Sequence, residues 1–232
     1  MPAFFSVLSR GYGSIRALRN LAAATFIAAA PALANPVELV ALGDSLTQGY
    51  GLPPEEGLVP QLQGWLNSHG ADVRVVNAGV SGDTTAGGLS RLEWSLSDQT
   101  DALMIALGGN DLLRGLPPEE ARANLDAMLE KARARGLPVL LAGLPAPGNY
   151  GPDYKAAFDA IWPDLAAKYD IVLLPNLLEP IMQATPEARA QNDLMQDDNI
   201  HPAPAGVAMV VEALGPKVLE LLAELPPESE GG

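Results

Sequence analysis

Apolar residues gather into five short runs along this chain, residues 37–42, 73–77, 102–107, 139–142 and 171–174, rich in Val, Ile, Leu and Ala. Runs of that length with little apolar/polar alternation predict strands buried on both faces of a parallel sheet. Between them the period changes. Residues 58–67, 88–97, 118–135 and 152–168 carry apolar positions at helical spacing, and 204–224 closes the chain in the same way. Pro117-Pro118 ahead of Glu119-Glu120 marks a helix start with acids in the first turn, and Arg133, Arg135 and Gly136 mark its end. Strands alternating with helices predict an α/β fold. The Gly/Pro-rich stretches 50–57 and 142–152 read as loops on the site side of the sheet. No internal repeat divides the chain.

The ends break the pattern. Arg10, Arg16 and Arg19 precede an apolar stretch, residues 21–30, and Ala32-Leu-Ala34 matches an A-x-A cleavage site. Residues 1–34 therefore predict a cleaved signal peptide, with Asn35 as the mature N-terminus. The apolar stretch is too short to span a bilayer, so no stable membrane anchor is expected. Residues 35–232 make a single domain, and the acidic tail, about 226–232, is expected to fray. The chain has no cysteine, which excludes disulfides, a lipid-modified cysteine and thiolate catalysis. An exported, cysteine-free chain points to the periplasm or the medium. Net charge is −14, and removal of three arginines and no acids takes it to −17. That excess argues against nucleic acid or an anionic membrane surface as a partner. It says nothing of oligomeric state.

Candidate chemistry sits where the first and third strands end. Ser45 follows the first strand in Gly43-Asp44-Ser45, and Asn110 follows the third in Gly108-Gly109-Asn110-Asp111. Residues just past the carboxyl ends of parallel strands face the crevice where ligands bind. A serine there is also a common helix N-cap, and Asn110 also suits a turn. The chain has two histidines: His69 falls at a helix end, and His201 lies three residues after Asp198. Asp198 is placed to accept from Nδ1 of His201 and leave Nε2 as a base for a serine proton. The alternative is that Asp198 caps the turn before Pro202. Gly82, in Ser81-Gly82-Asp83-Thr84, offers a backbone N–H with close approach, or is simply a loop glycine. Asp44 and Asp111 suit loop-holding Asx hydrogen bonds. Together these are parts for acyl transfer on a serine, and no metal or organic cofactor is required.

Taken in order, Gly-Asp-Ser, Ser-Gly-Asp-Thr, Gly-Gly-Asn-Asp and Asp-Asn-Ile-His-Pro resemble the SGNH-hydrolase (GDSL esterase/lipase) superfamily. Within it the chain is similar to exported bacterial arylesterases and thioesterase I/lysophospholipases. The likeness extends to Val75-Val76-Asn77-Ala78, Ile161-Trp162-Pro163 and Met195-Gln196-Asp197-Asp198. The resemblance implies a flavodoxin-like three-layer α/β/α sandwich with a five-stranded parallel sheet. It implies Ser45 as nucleophile, Asp198 and His201 as acid and base, and the Ser45 amide, Gly82 amide and Asn110 side chain as oxyanion donors. It further implies a mobile substrate-side loop at residues 111–116, which makes Asp111, Leu112, Leu113 and Leu116 candidate substrate contacts. Leu46, Leu52 and Leu144 are added as candidate walls of an acyl groove. The expected substrate is a small-molecule ester or acyl lipid, aryl or acyl ester, thioester or lysophospholipid. Rival expectations are an O-acetyl deacetylase of carbohydrate or peptidoglycan, an acyltransferase, and a binding protein without catalysis. The first would need aromatic sugar platforms, whereas Trp65, Trp94 and Trp162 all fall in predicted helices. The Gly-x-Ser-x-Gly elbow of the α/β-hydrolases is absent.

Overall fold

The computed structural model describes residues 36–226. The signal-peptide and tail expectations, apart from Pro226, lie outside these residues. Strands β1 (Val37–Gly43), β2 (Val73–Gly79), β3 (Ala102–Ala106), β4 (Val139–Ala142) and β5 (Val172–Leu174) form one sheet in the order β2-β1-β3-β4-β5. Every neighbouring pair is parallel. The helices are α1 (Ser45–Gln48), α2 (Leu58–Ser68), α3 (Thr85–Ser95), α4 (Gly109–Leu113), α5 (Pro118–Ala134), α6 (Pro152–Asp159), α7 (Ile161–Tyr169), α8 (Glu179–Met182), α9 (Pro186–Gln191) and α10 (Pro204–Leu222).

Successive side chains of a strand point to opposite faces, and the core divides accordingly. Leu39 and Ala41 of β1 pack with α2, α8 and α10, whereas Val40 and Leu42 pack with α3, α5, α6 and α7. Two apolar layers on one central sheet make the three-layer α/β/α sandwich. They also explain why the strands read as continuous apolar runs. The sheet order sets the geometry of the site. The chain steps from β1 outward to β2, then back past β1 to β3. Right-handed crossovers in opposite directions place their helices on opposite faces, here α2 and α3. The loops after β1 and β3 then part in opposite directions and leave a crevice at the carboxyl edge.

Three expectations need correction. The helix expected over 152–168 is two helices, broken at Ala160. Pro163 cannot accept the geometry of a continuous helix, because its ring meets the carbonyl four residues earlier. It sits instead in the first turn of α7, where its missing N–H is no loss. The helix expected from 88 begins at Thr85, with Thr84 Oγ1 accepting from the Gly87 N–H at 3.3 Å. That capping hydroxyl outweighs the poor helix propensity of Gly87-Gly88. Residues 111–113, expected in a loop, belong to α4. The short helices α8 and α9 carry no period long enough to read.

Candidate active site

Gly43 of β1 stands level with Gly79 of β2 and Ala106 of β3. Ser45, Gly82 and Asn110 follow those residues by two, three and four positions, so three adjacent strands deliver them to one edge. Asp44 ends β1 by capping α1: its Oδ1 accepts the Leu46 N–H at 3.0 Å. This cap turns the chain and lifts Ser45 out of the sheet. Gly49 closes α1 in the left-handed region, φ 87°.

The Ser45 hydroxyl lies 2.8 Å from Nε2 of His201, and Nδ1 of His201 lies 2.6 Å from Oδ2 of Asp198. The other carboxylate oxygen, Oδ1, accepts the N–H groups of Ile200 and His201 at 2.9 and 3.0 Å. A carboxylate only accepts, so Nδ1 donates its proton to Asp198, which leaves Nε2 facing the serine. The hydrogen bonds from the His201 ring, its N–H and the Ile200 N–H pull the Asp198 carboxyl down to about 2. Asn199, at φ 54°, bends the segment so that Asp198 turns back on His201.

The His201 segment is fastened to the Ser45 segment by Gln196. Its Nε2 donates to the Tyr50 carbonyl at 2.9 Å and to the Pro202 carbonyl at 3.0 Å. Tyr50 in turn packs its ring 4.8 Å from the imidazole at 39°. Both positions lay in segments singled out in the sequence, but their contacts join residues far apart in the chain, and nothing local announces them.

The Ser45 and Gly82 N–H groups find no acceptor among the described residues. The Asn110 carboxamide donates to Oδ2 of Asp44 at 3.3 Å. Gly82 adopts φ 83°, a conformation that favours glycine, and its carbonyl accepts from Arg114 at 2.7 Å. Asp44 is almost fully buried, and that burial pushes its carboxyl up to about 6. The Leu46 N–H, the nearby His201 and the Asn110 amide oppose the shift without cancelling it.

Beside Ser45 and His201 opens a cavity of about 370 Å³, walled by Leu46, Leu112, Leu113, Leu144, Leu178 and Met182 among others. Leu112 and Leu113 thus stand where a substrate contact is expected. Asp111 does not: it is buried at 1 % exposure and turned away to Thr85, because its carboxylate finds two donors there. Leu116 is also outside the cavity, and its carbonyl accepts from the Tyr154 hydroxyl at 2.9 Å. Leu52 lines, with Tyr50, an adjoining recess of about 20 Å³ that shares Ser45, Leu46, Leu178 and His201 with this cavity. The sequence did not single out Met182 or Ile200, which complete the cavity mouth from α8 and the histidine segment. Trp65, Trp94 and Trp162 are absent from the walls.

A serine, an imidazole and a carboxylate in hydrogen-bonded series at the switch point of this sheet define a hydrolase of the serine-nucleophile class. The GDSL-like lipase/acylhydrolase family profile matches residues 41–209, and the chain belongs to that family. It is 43 % identical to "Esterase TesA" of Pseudomonas aeruginosa over 79 % of this chain and 89 % of that one. To the "Arylesterase" of Vibrio mimicus it is 34 % identical, over 88 % of this chain and 100 % of the relative. The crystal structure of AlinE4, an SGNH-hydrolase family esterase, superposes with a TM-score of 0.66 at 44 % identity, covering 82 % of this chain and 99 % of AlinE4.

Proposed function

We infer that this chain hydrolyses carboxylic esters through an acyl-enzyme on Ser45. The observation that carries the reading is the unbroken series Ser45–His201–Asp198, at 2.8 and 2.6 Å. Ser45 Oγ attacks the substrate carbonyl carbon while its proton passes to Nε2 of His201. Asp198 fixes the tautomer and stabilises the imidazolium that forms. The carbonyl oxygen becomes an oxyanion held by the unpartnered Ser45 and Gly82 amides and the Asn110 carboxamide. Collapse breaks the bond to the leaving alcohol, phenol or thiol, which takes the proton from Nε2. Water then attacks the acyl-enzyme, gives its proton to His201, and Ser45 leaves with that proton as the acid is released.

The apolar cavity supports an acyl group of appreciable length, including acyl lipids and thioesters, over a carbohydrate acetyl ester. A sugar platform would call for exposed aromatic rings in its walls, and the three tryptophans lie elsewhere. Export to the periplasm or the medium is supported by Arg10, Arg16, Arg19 and the Ala32-Leu-Ala34 site. Among the described residues no helix is long and apolar enough to cross a membrane.

The test is a graded series of p-nitrophenyl esters, acetyl to palmitoyl, with wild type and Ser45→Ala. Hydrolysis lost in Ser45→Ala, with a profile extending beyond acetyl, is the expected result. Activity retained in Ser45→Ala would remove the mechanism, and acetyl-only turnover would return the deacetylase reading.

A further inference from the structure

Asp111 is a buried carboxylate that the reaction does not use. None of the ion pairs among the described residues includes it. Its Oδ2 accepts the Thr85 N–H at 2.8 Å and its Oδ1 accepts the Thr85 hydroxyl at 2.6 Å. The Asn124 amide of α5 donates to the same hydroxyl at 3.0 Å. With its single hydrogen given to Asp111, Thr85 accepts from Asn124, so the direction of the chain is fixed as Asn124 to Thr85 to Asp111. Burying an acidic side chain costs stability even when it is hydrogen-bonded, and closing a short helix does not require one.

What distinguishes the position is its neighbours. Asp111 directly follows Asn110, and Thr85 lies three residues after Gly82. Arg114, the residue that caps this helix, makes a second link on the exposed side by donating to the Gly82 carbonyl at 2.7 Å. α4 therefore presents Asn110 to the site while gripping the Gly82 segment at two points. These two elements supply two of the three oxyanion donors.

We propose that Asp111, acting through Thr85, is a positioning residue that sets the spacing between the Gly82 amide and the Asn110 carboxamide. The proposal rests on the assignment of Ser45, Gly82 and Asn110 given above. Oxyanion donors work within a narrow distance range, about 2.7–3.1 Å from the forming charge. A displacement of about 1 Å costs up to about 10²-fold in rate. Because the oxyanion forms after binding, the loss falls on kcat and leaves KM nearly unchanged.

The test uses the mature enzyme with p-nitrophenyl butyrate. Asp111→Asn places an amide donor against a Thr85 donor, and Thr85→Val removes the hydroxyl while keeping the shape. Both lower kcat by about 10- to 10²-fold with KM held. Thr85→Ser keeps the hydroxyl and restores the wild-type kcat. In the double variant with Asn110→Ala, kcat falls by less than the product of the two single losses, because the Asn110 donor is already gone and only the Gly82 amide remains to be displaced. A folded Asp111→Asn or Thr85→Val enzyme with wild-type kcat overturns the proposal. So do losses that multiply with that of Asn110→Ala. If Asp111→Asn fails to fold, the Thr85→Val and Thr85→Ser pair decides alone. Ser45→Ala keeps the two readings apart: activity retained there fells the esterase mechanism, whereas activity lost there with Thr85→Val unaffected fells only the positioning role.

Discussion

Asp198 and Asp44 are both carboxyls near the His201 imidazole, and their surroundings drive them in opposite directions. Asp198 is held down to about 2 by hydrogen bonds from the His201 ring and two backbone N–H groups. Its contribution to stability is full above the usual value of 3.8 and is lost as pH falls through about 2, so the His201 anchor persists through all but strongly acid conditions. Asp198→Asn offers an NH₂ where Nδ1–H needs an acceptor. It should cost about 10⁴ in kcat, with an unchanged circular dichroism spectrum, measured on p-nitrophenyl butyrate. Asp44 has the reverse sign. Burial raises it to about 6, so its ionisation opposes folding: stability is greatest below 3.8 and declines as pH rises through about 6. Asp44→Asn keeps a cap for Leu46 and removes that decline. Its stability relative to wild type should rise between pH 4 and 7 by up to about 3 kcal/mol, read from urea midpoints at each pH. A constant difference across that range would show that the Asp44 charge does not set it. The sequence offered Ser45, Asp198 and His201 as candidates because the chain has two histidines, one of them three residues after an aspartate, and because their motifs occur together with Gly-Gly-Asn-Asp in one order along the chain. It could not show Gln196 holding Tyr50 and Pro202, or Asp111 turned to Thr85, since those contacts exist only once distant segments meet.

At the level of elements, two glycines in helices that face each other show how packing overrules propensity. Gly64 lies within α2, and a Cβ added there meets nothing within 4 Å. Gly64→Ala should therefore stabilise the fold by about 0.5–1 kcal/mol, the ordinary helix-propensity difference. Gly215 of α10 faces the Trp65 ring of α2, and an added Cβ would overlap ring atoms, with Cδ2 at 2.6 Å. Trp65 has little room to yield, because it stacks on His69 with ring centroids 3.6 Å apart. Overpacking of this kind costs about 1–3 kcal/mol, which exceeds the propensity gain. Gly215→Ala should lower the melting temperature while Gly64→Ala raises it, and the same sign for both would refute the argument. The contrast is invisible in the sequence, where both glycines merely interrupt an apolar helical period. The strands were legible because both their faces are buried. The break at Ala160 was also present in the sequence, since Pro163 announces it. α8 and α9 were not, because four and six residues are too few to display a period.

For the whole molecule, the sheet order turns four scattered motifs into one site. β2, β1 and β3 lie side by side, so Gly82, Ser45 and Asn110 arrive in spatial sequence although Ser45 comes first in the chain. The sequence order alone leaves that arrangement open. The same interior position of β1, between β2 and β3, makes the place of any cleavage consequential. β1 begins at Val37, and the Val37 N–H donates to the Asp72 carbonyl at 3.1 Å. Cleavage after Ala34 would leave Asn35 and Pro36 ahead of the strand that carries Ser45, without shortening it. Cleavage even four residues later would remove Val37 and Glu38, and with them the ion pair between Glu38 and Arg74. Expression of the full chain in a bacterial host should therefore give an active protein outside the cytoplasm. Its N-terminal sequence should read Asn-Pro-Val-Glu-Leu. Arg10→Glu, Arg16→Glu and Arg19→Glu together should strand the protein in the cytoplasm, because the positive region preceding the apolar stretch is lost. A mature product that still begins at Met1, or export indifferent to those three charges, would mean that residues 1–34 are not a cleaved leader.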